Sequence, residues 1–75
     1  MRTDDINLFD GLSDKEKDIL QYVSEGSSNK EVAVKLNISV GTVKSHIRNV
    51  MNKTGIRDRL MLSLEYLKHM ENEVR

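Results

Sequence analysis

Apolar residues recur at helical spacing over four stretches of the chain, and each stretch opens on a residue type that caps a helix. This predicts an all-α fold with helices at about 14–25, 29–36, 40–53 and 59–72. The first carries Ile19, Leu20 and Val23 on one face, with Leu12 ahead of it as a staple. Ser13 and Glu16 form a capping box at its start, and Gly26 closes it. The second is short and places Val32, Ala33 and Leu36 together, with Ser28 or Asn29 as its cap. Asn37 suits the left-handed position that ends it, and Ile38 is expected to turn inward before the third helix. Ser39 caps that third helix, where Val43, Ile47 and Val50 fall within about 60° of one another. Thr54 and Gly55 stop it, and Asp58 caps the last.

The polar positions of the third helix are as ordered as its apolar ones. Ser45, Arg48, Asn49 and Asn52 point away from the apolar stripe, Lys44 lies at the margin and Lys53 one turn on, and no carboxylate interrupts them. Such a face donates to phosphates and base edges, whereas a merely solvated helix face usually mixes both signs of charge. The amides at 40–42 stay open to a phosphate oxygen, and Gly41 lets a backbone come close. Two helices joined by a tight turn, the second with a polar outer face, make a helix-turn-helix over about 29–53.

The last helix has more apolar surface than one core needs. Leu60, Leu64 and Leu67 form one stripe, and Leu62, Tyr66 and Met70 a second about 120–160° away. We expect the first stripe to pack inward and the second, with His69 beside it, to meet another copy of the chain; the alternative cover is the N-terminal arm or a partner domain. Residues 1–11 read as a flexible acidic arm ahead of a domain at 12–73, with Phe9 covering the edge of the core.

Length and charge sharpen this picture. A chain of 75 residues is one small domain of marginal stability unless helical and compact or dimeric. With no Cys it has neither disulfides nor thiolate metal sites, and no apolar run is long enough to span a bilayer, so a cytoplasmic protein is expected, nucleoid-associated when bound. The net charge of zero hides a strong asymmetry. Residues 1–31 hold four basic and eight acidic side chains, residues 32–64 six and one, and residues 65–75 two and three. Positive charge is thus gathered around the third helix, an arrangement that steers a polyanion to one face. Glu16 and Asp18 read as capping or solvated carboxylates, isolated from other ionisable partners. His46 reads as a residue packed at the helix edge, with no second His or any Cys near it to hold a metal. No nucleophile–base pair or phosphate loop appears, so no enzyme activity, cofactor or metal is expected.

Residues 12–59 resemble the LuxR-type helix-turn-helix DNA-binding domain, also called the NarL or GerE type. The segments that carry the resemblance lie in register: LSDKE at 12–16, SNKEVA at 28–33, ISVGTVKSH at 38–46, NVMNK at 49–53 and DR at 58–59. The resemblance implies a four-helix domain that binds DNA as a dimer, with the third helix in the major groove and the fourth at the dimer contact. It implies base reading by Lys44, Ser45 and Arg48, to which the outward face adds Asn49, and backbone contacts by Asn29, Lys30, Ser39, Thr42 and Lys53. It also implies a dimer contact on the fourth helix, which the stripe described above assigns to Leu62, Tyr66, His69 and Met70. Ser45 departs by bringing only a small hydroxyl to a central reading position, and Leu60, Met61 and Leu62 are larger than the family's residues there. With eleven residues ahead of its domain, the chain resembles the stand-alone GerE-like members, the alternative being an excised output domain of a response regulator.

The expected function is therefore a bacterial transcription regulator that binds double-stranded DNA as a homodimer on inverted repeats, with RNA polymerase as a further partner and no membrane association. Arg48 is the first choice for a bidentate contact to guanine and Lys44 the second. The rival is an antagonist that binds no DNA and pairs with another regulator of this type through its last helix.

Overall fold

The computed structural model describes residues 8–74. Its helices are α1 (Asp14–Ser24), α2 (Asn29–Leu36), α3 (Val40–Thr54) and α4 (Arg59–Val74), with no strand among the described residues, so the fold is all-α as the periodicity predicts. Every boundary falls within two residues of expectation. The reason is local chemistry. At α1 the Glu16 N–H donates to Ser13 Oγ at 3.1 Å while the Ser13 N–H donates to Glu16 Oε1 at 2.9 Å. The same reciprocal box opens α2, between Ser28 and Glu31, at 3.1 and 2.7 Å. Asn37 takes the left-handed conformation (φ 56°, ψ 49°) that reverses the chain after α2, and Gly55 does so after α3 (φ 78°). Asp58 accepts from the Met61 N–H at 2.9 Å and starts α4.

Helix α1 is the hub and packs on each of the other three. One side of it, Ile19 and Val23, meets Val32, Ala33, Val43 and Ile47 and so glues α2 and α3 into a unit. The other side, through Leu20, meets Val50, Leu62, Tyr66, Phe9 and Leu12. Ile19, Leu20, Val32, Val43, Val50 and Leu62 are wholly buried, each contributing about 1.5–3 kcal/mol. Of the expected N-terminal arm, residues 1–7 lie outside the described residues. Residues 8–11 form a turn that seats Phe9 in the core, edge-on to Tyr66 with ring centroids 5.3 Å apart.

The two faces of α4 are the reverse of the expectation. Leu62 and Tyr66 are buried and Met70 packs beside them, while Leu60, Leu64 and Leu67 are 69%, 46% and 45% exposed. Thus Leu62, Tyr66, His69 and Met70 belong to the chain's own core side, not to a free surface; His69 stacks on Phe9 with centroids 5.2 Å apart. The first residue of the helix lies on the same inner side. Arg59 donates from Nη1 to Asn29 Oδ1 at 2.7 Å and from Nη2 to the Ser27 carbonyl at 2.9 Å, which turns that edge of α4 toward the rest of the fold. Leu62, Tyr66 and Met70 follow at three, seven and eleven residues on that side, where they pack on Leu20, Val50 and Phe9. The Phe9 ring then completes the pocket for Tyr66.

Candidate nucleic-acid interface

The turn from Asn37 to Ser39 sets the angle at which α3 leaves α2. Ile38 packs into the same apolar cluster as Val43 and Ile47, and the Ser39 hydroxyl accepts from the Thr42 N–H at 3.0 Å. With Val43, Ile47 and Val50 buried, the rest of α3 is fixed in phase. Lys44, Ser45, Arg48, Asn49 and Asn52 are all exposed. No acidic residue lies on α3, and the side chains of Lys44, Arg48 and Asn49 make no hydrogen bond or ion pair among the described residues. Five polar side chains therefore stand ready on one solvent-facing surface. The four residues expected to read bases lie together on it.

The residues expected to touch the backbone surround this surface, with different freedom. Lys30 is exposed. Ser39 and Thr42 share one hydrogen bond between their hydroxyls (2.9 Å), which uses one hydroxyl proton and leaves the other for an outside acceptor. Asn29 is engaged through its oxygen by Arg59. Lys53 is already committed: it donates to Glu16 Oε1 at 2.8 Å and to the Gly11 carbonyl at 3.2 Å, leaving one of its three N–H groups. Glu16 is thus not isolated, as the sequence suggested, but pairs with a lysine 37 residues away. Its carboxyl is pushed up by burial, yet the Lys53 hydrogen bond, the Ser13 amide and the Lys53 charge outweigh that and hold it below the ordinary value. The exposed Glu31 carboxyl is also lowered, first by the Ser28 amide it accepts from.

Three features escaped the sequence reading. The Ser28–Glu31 box repeats the S-x-x-E spacing of Ser13 and Glu16, and Glu31 reaches back to the Ser28 N–H while its own N–H is capped by the Ser28 hydroxyl. The Glu16–Lys53 pair carried no local signal, since it depends on how α1 crosses α3. The Arg59 clamp shows in the sequence only as a basic residue next to a cap. His46, at the edge of α3, is half-buried and leaves Nδ1 without a hydrogen-bond partner; no grouping of side chains able to hold a metal occurs among the described residues.

A family model described as bacterial regulatory proteins, luxR family, matches residues 10–64, which takes in α1, α2, α3 and the start of α4. The chain belongs to the LuxR family. Among its relatives in that family, the nitrate/nitrite response regulator protein NarP of Escherichia coli (strain K12) is 42% identical over 60 residues, covering 80% of this chain and 28% of NarP. The nitrate/nitrite response regulator protein homolog of Haemophilus influenzae is 37% identical over 67 residues, 89% of this chain and 32% of that protein. The response regulator protein VraR of Staphylococcus aureus is 32% identical over 62 residues, 83% and 30% respectively. The chain thus spans about a third or less of the length of these LuxR-family relatives. No helix among its described residues is long and apolar enough to cross a membrane.

Proposed function

We propose that this chain binds double-stranded DNA and regulates transcription, as a homodimer that lays one α3 in each of two major-groove half-sites about 34 Å apart on an inverted repeat. The observation that carries the reading is the outer face of α3, exposed, acid-free and unpaired among the described residues. Arg48 is suited to take guanine O6 and N7 with its two-pronged guanidinium, with Lys44, Ser45 and Asn49 beside it on neighbouring base edges. Asn29, Lys30, Ser39, Thr42 and the remaining N–H of Lys53 fix register on phosphates. Membership of a family of regulatory proteins supports this, and so do relatives described as response regulators. Work on the bacterial nucleoid, with RNA polymerase as a further partner, follows from the same reading.

The corrected face of α4 supplies the dimer contact. Leu60, Met61, Leu64 and Leu67 are large, apolar and exposed along one edge, and a second copy offers the same edge in return. That edge equally favours the rival, an antagonist that pairs with another regulator of the family and binds no DNA. Selection from a random duplex pool with the purified chain separates them. Recovery of an inverted repeat is the expected result, and failure to enrich any sequence, with no retention of random duplex, sinks the DNA reading.

A further inference from the structure

We infer that Arg59 is a positioning residue for the DNA backbone contact: it locks the Asn29 side chain with its amide NH2 turned outward as a phosphate donor. The inference rests on the DNA reading above and deepens it. A guanidinium carries only donors, so the Asn29 atom that faces Arg59 Nη1 at 2.7 Å has to be the oxygen. The second prong, Nη2 to the Ser27 carbonyl at 2.9 Å, pins the guanidinium plane and prevents it from following Asn29 if the amide rotates. With Oδ1 held, the two N–H groups of Nδ2 have no partner among the described residues. Asn29 is the first residue of α2 and lines, with Ser28, Lys30, Val40 and Arg59, an open hollow where α2, α3 and α4 begin. A strand passing the N-terminus of α3 comes within reach of that hollow. Asn29 alone could present either end of its amide, and the oxygen end would repel a phosphate; the clamp removes that choice before DNA arrives.

The same clamp sits at the first residue of α4, next to Leu60, the most exposed apolar residue of the α4 edge. Positioning of the contact is therefore tied to the helix proposed to pair with a second copy.

The test is a double-mutant cycle on the full chain, reading Kd for a selected duplex at several salt concentrations. Asn29→Ala and Arg59→Met should each weaken binding about tenfold, and the double variant should be no weaker than either single one. The slope of log K against log salt should stay unchanged in both, because the contact is made by a neutral amide. If Arg59 itself neutralises a phosphate, Arg59→Met removes two contacts per dimer and lowers the slope by about 1.8, and the inference falls. If Arg59 only braces the fold, its loss adds to that of Asn29→Ala, and the inference falls again. Arg59→Lys keeps the charge but cannot span both acceptors, so it should lose affinity like Asn29→Ala; it serves as the second variant if Arg59→Met does not fold. Absence of binding by the wild-type chain overturns the DNA reading and this inference together, whereas additive losses in a chain that binds overturn the inference alone.

Discussion

Arg48 and Lys53 are both cations of α3, yet their surroundings assign them different work. Arg48 is exposed with its guanidinium unspent, so all of its donors are available to a base pair. Arg48→Ala should cost about 1–3 kcal/mol on the selected site and relax preference at one position, measured by titrating single-base variants of the duplex. Equal losses on every duplex would assign it to the backbone instead. Lys53 is spent mainly inside the fold, across to Glu16 and Gly11. Lys53→Ala leaves a buried carboxylate without its cation and should lower unfolding free energy by about 1–2 kcal/mol in urea titrations, besides any loss on DNA. The pair also fixes a pH response. The Glu16 carboxyl titrates lower in the folded chain than in the unfolded one, so its stabilisation is complete above the unfolded value and disappears as pH falls through the folded one. Glu16→Gln should therefore be less stable than wild type at neutral pH and approach it in acid. A constant gap between the two urea midpoints from neutral pH into acid would show that the carboxylate charge is not what matters.

At the scale of elements, the helices were legible because each begins and ends on local chemistry that a short window contains. Ser13 with Glu16, Ser39, Asn37, Gly55 and Asp58 act within three or four residues of themselves, and all do in the structure what their types predict. The inner face of α3 was legible for a similar reason, since three β-branched residues at helical spacing leave one choice of phase. The face of α4 was not. Both of its stripes are apolar, and the decision between them lies in the packing of Leu62 and Tyr66 against Phe9, Leu20 and Val50, which are remote in sequence. Substitution along α4 checks the corrected phase. Leu62→Ala should cost about 2–5 kcal/mol, because the site is wholly enclosed and a cavity remains. Leu64→Ala, about half exposed, should cost under 1 kcal/mol in the monomer. Reversed magnitudes in urea unfolding would restore the original stripe. The Glu16–Lys53 pair was illegible for the same physical reason: long-range partners are fixed by packing angles, and no sequence window holds them.

For the whole molecule, a net charge of zero coexists with one acid-free surface, so electrostatics should act through a face and not through the total. If Lys30 and Lys53, the two lysines proposed to hold phosphates, each neutralise one, a dimer neutralises about four, and log K should fall with log salt at a slope of about −3.6. An antagonist joined through α4 by apolar burial would hardly respond to salt. Dimerisation and DNA binding can then be separated in one variant. Leu64→Glu places a charge in the exposed α4 edge, where the isolated fold should accept it at little cost because the side chain is already about half in water. In the proposed dimer two such edges meet, so two carboxylates would face each other across desolvated leucines, and the variant should sediment as a monomer. Its α3 is untouched, so it should bind a single half-site as the wild-type protomer does while losing the extra affinity that a second half-site confers. A variant that still dimerises and still prefers the full repeat would move the contact off this edge of α4, and the exposed leucines would then have to face a different partner.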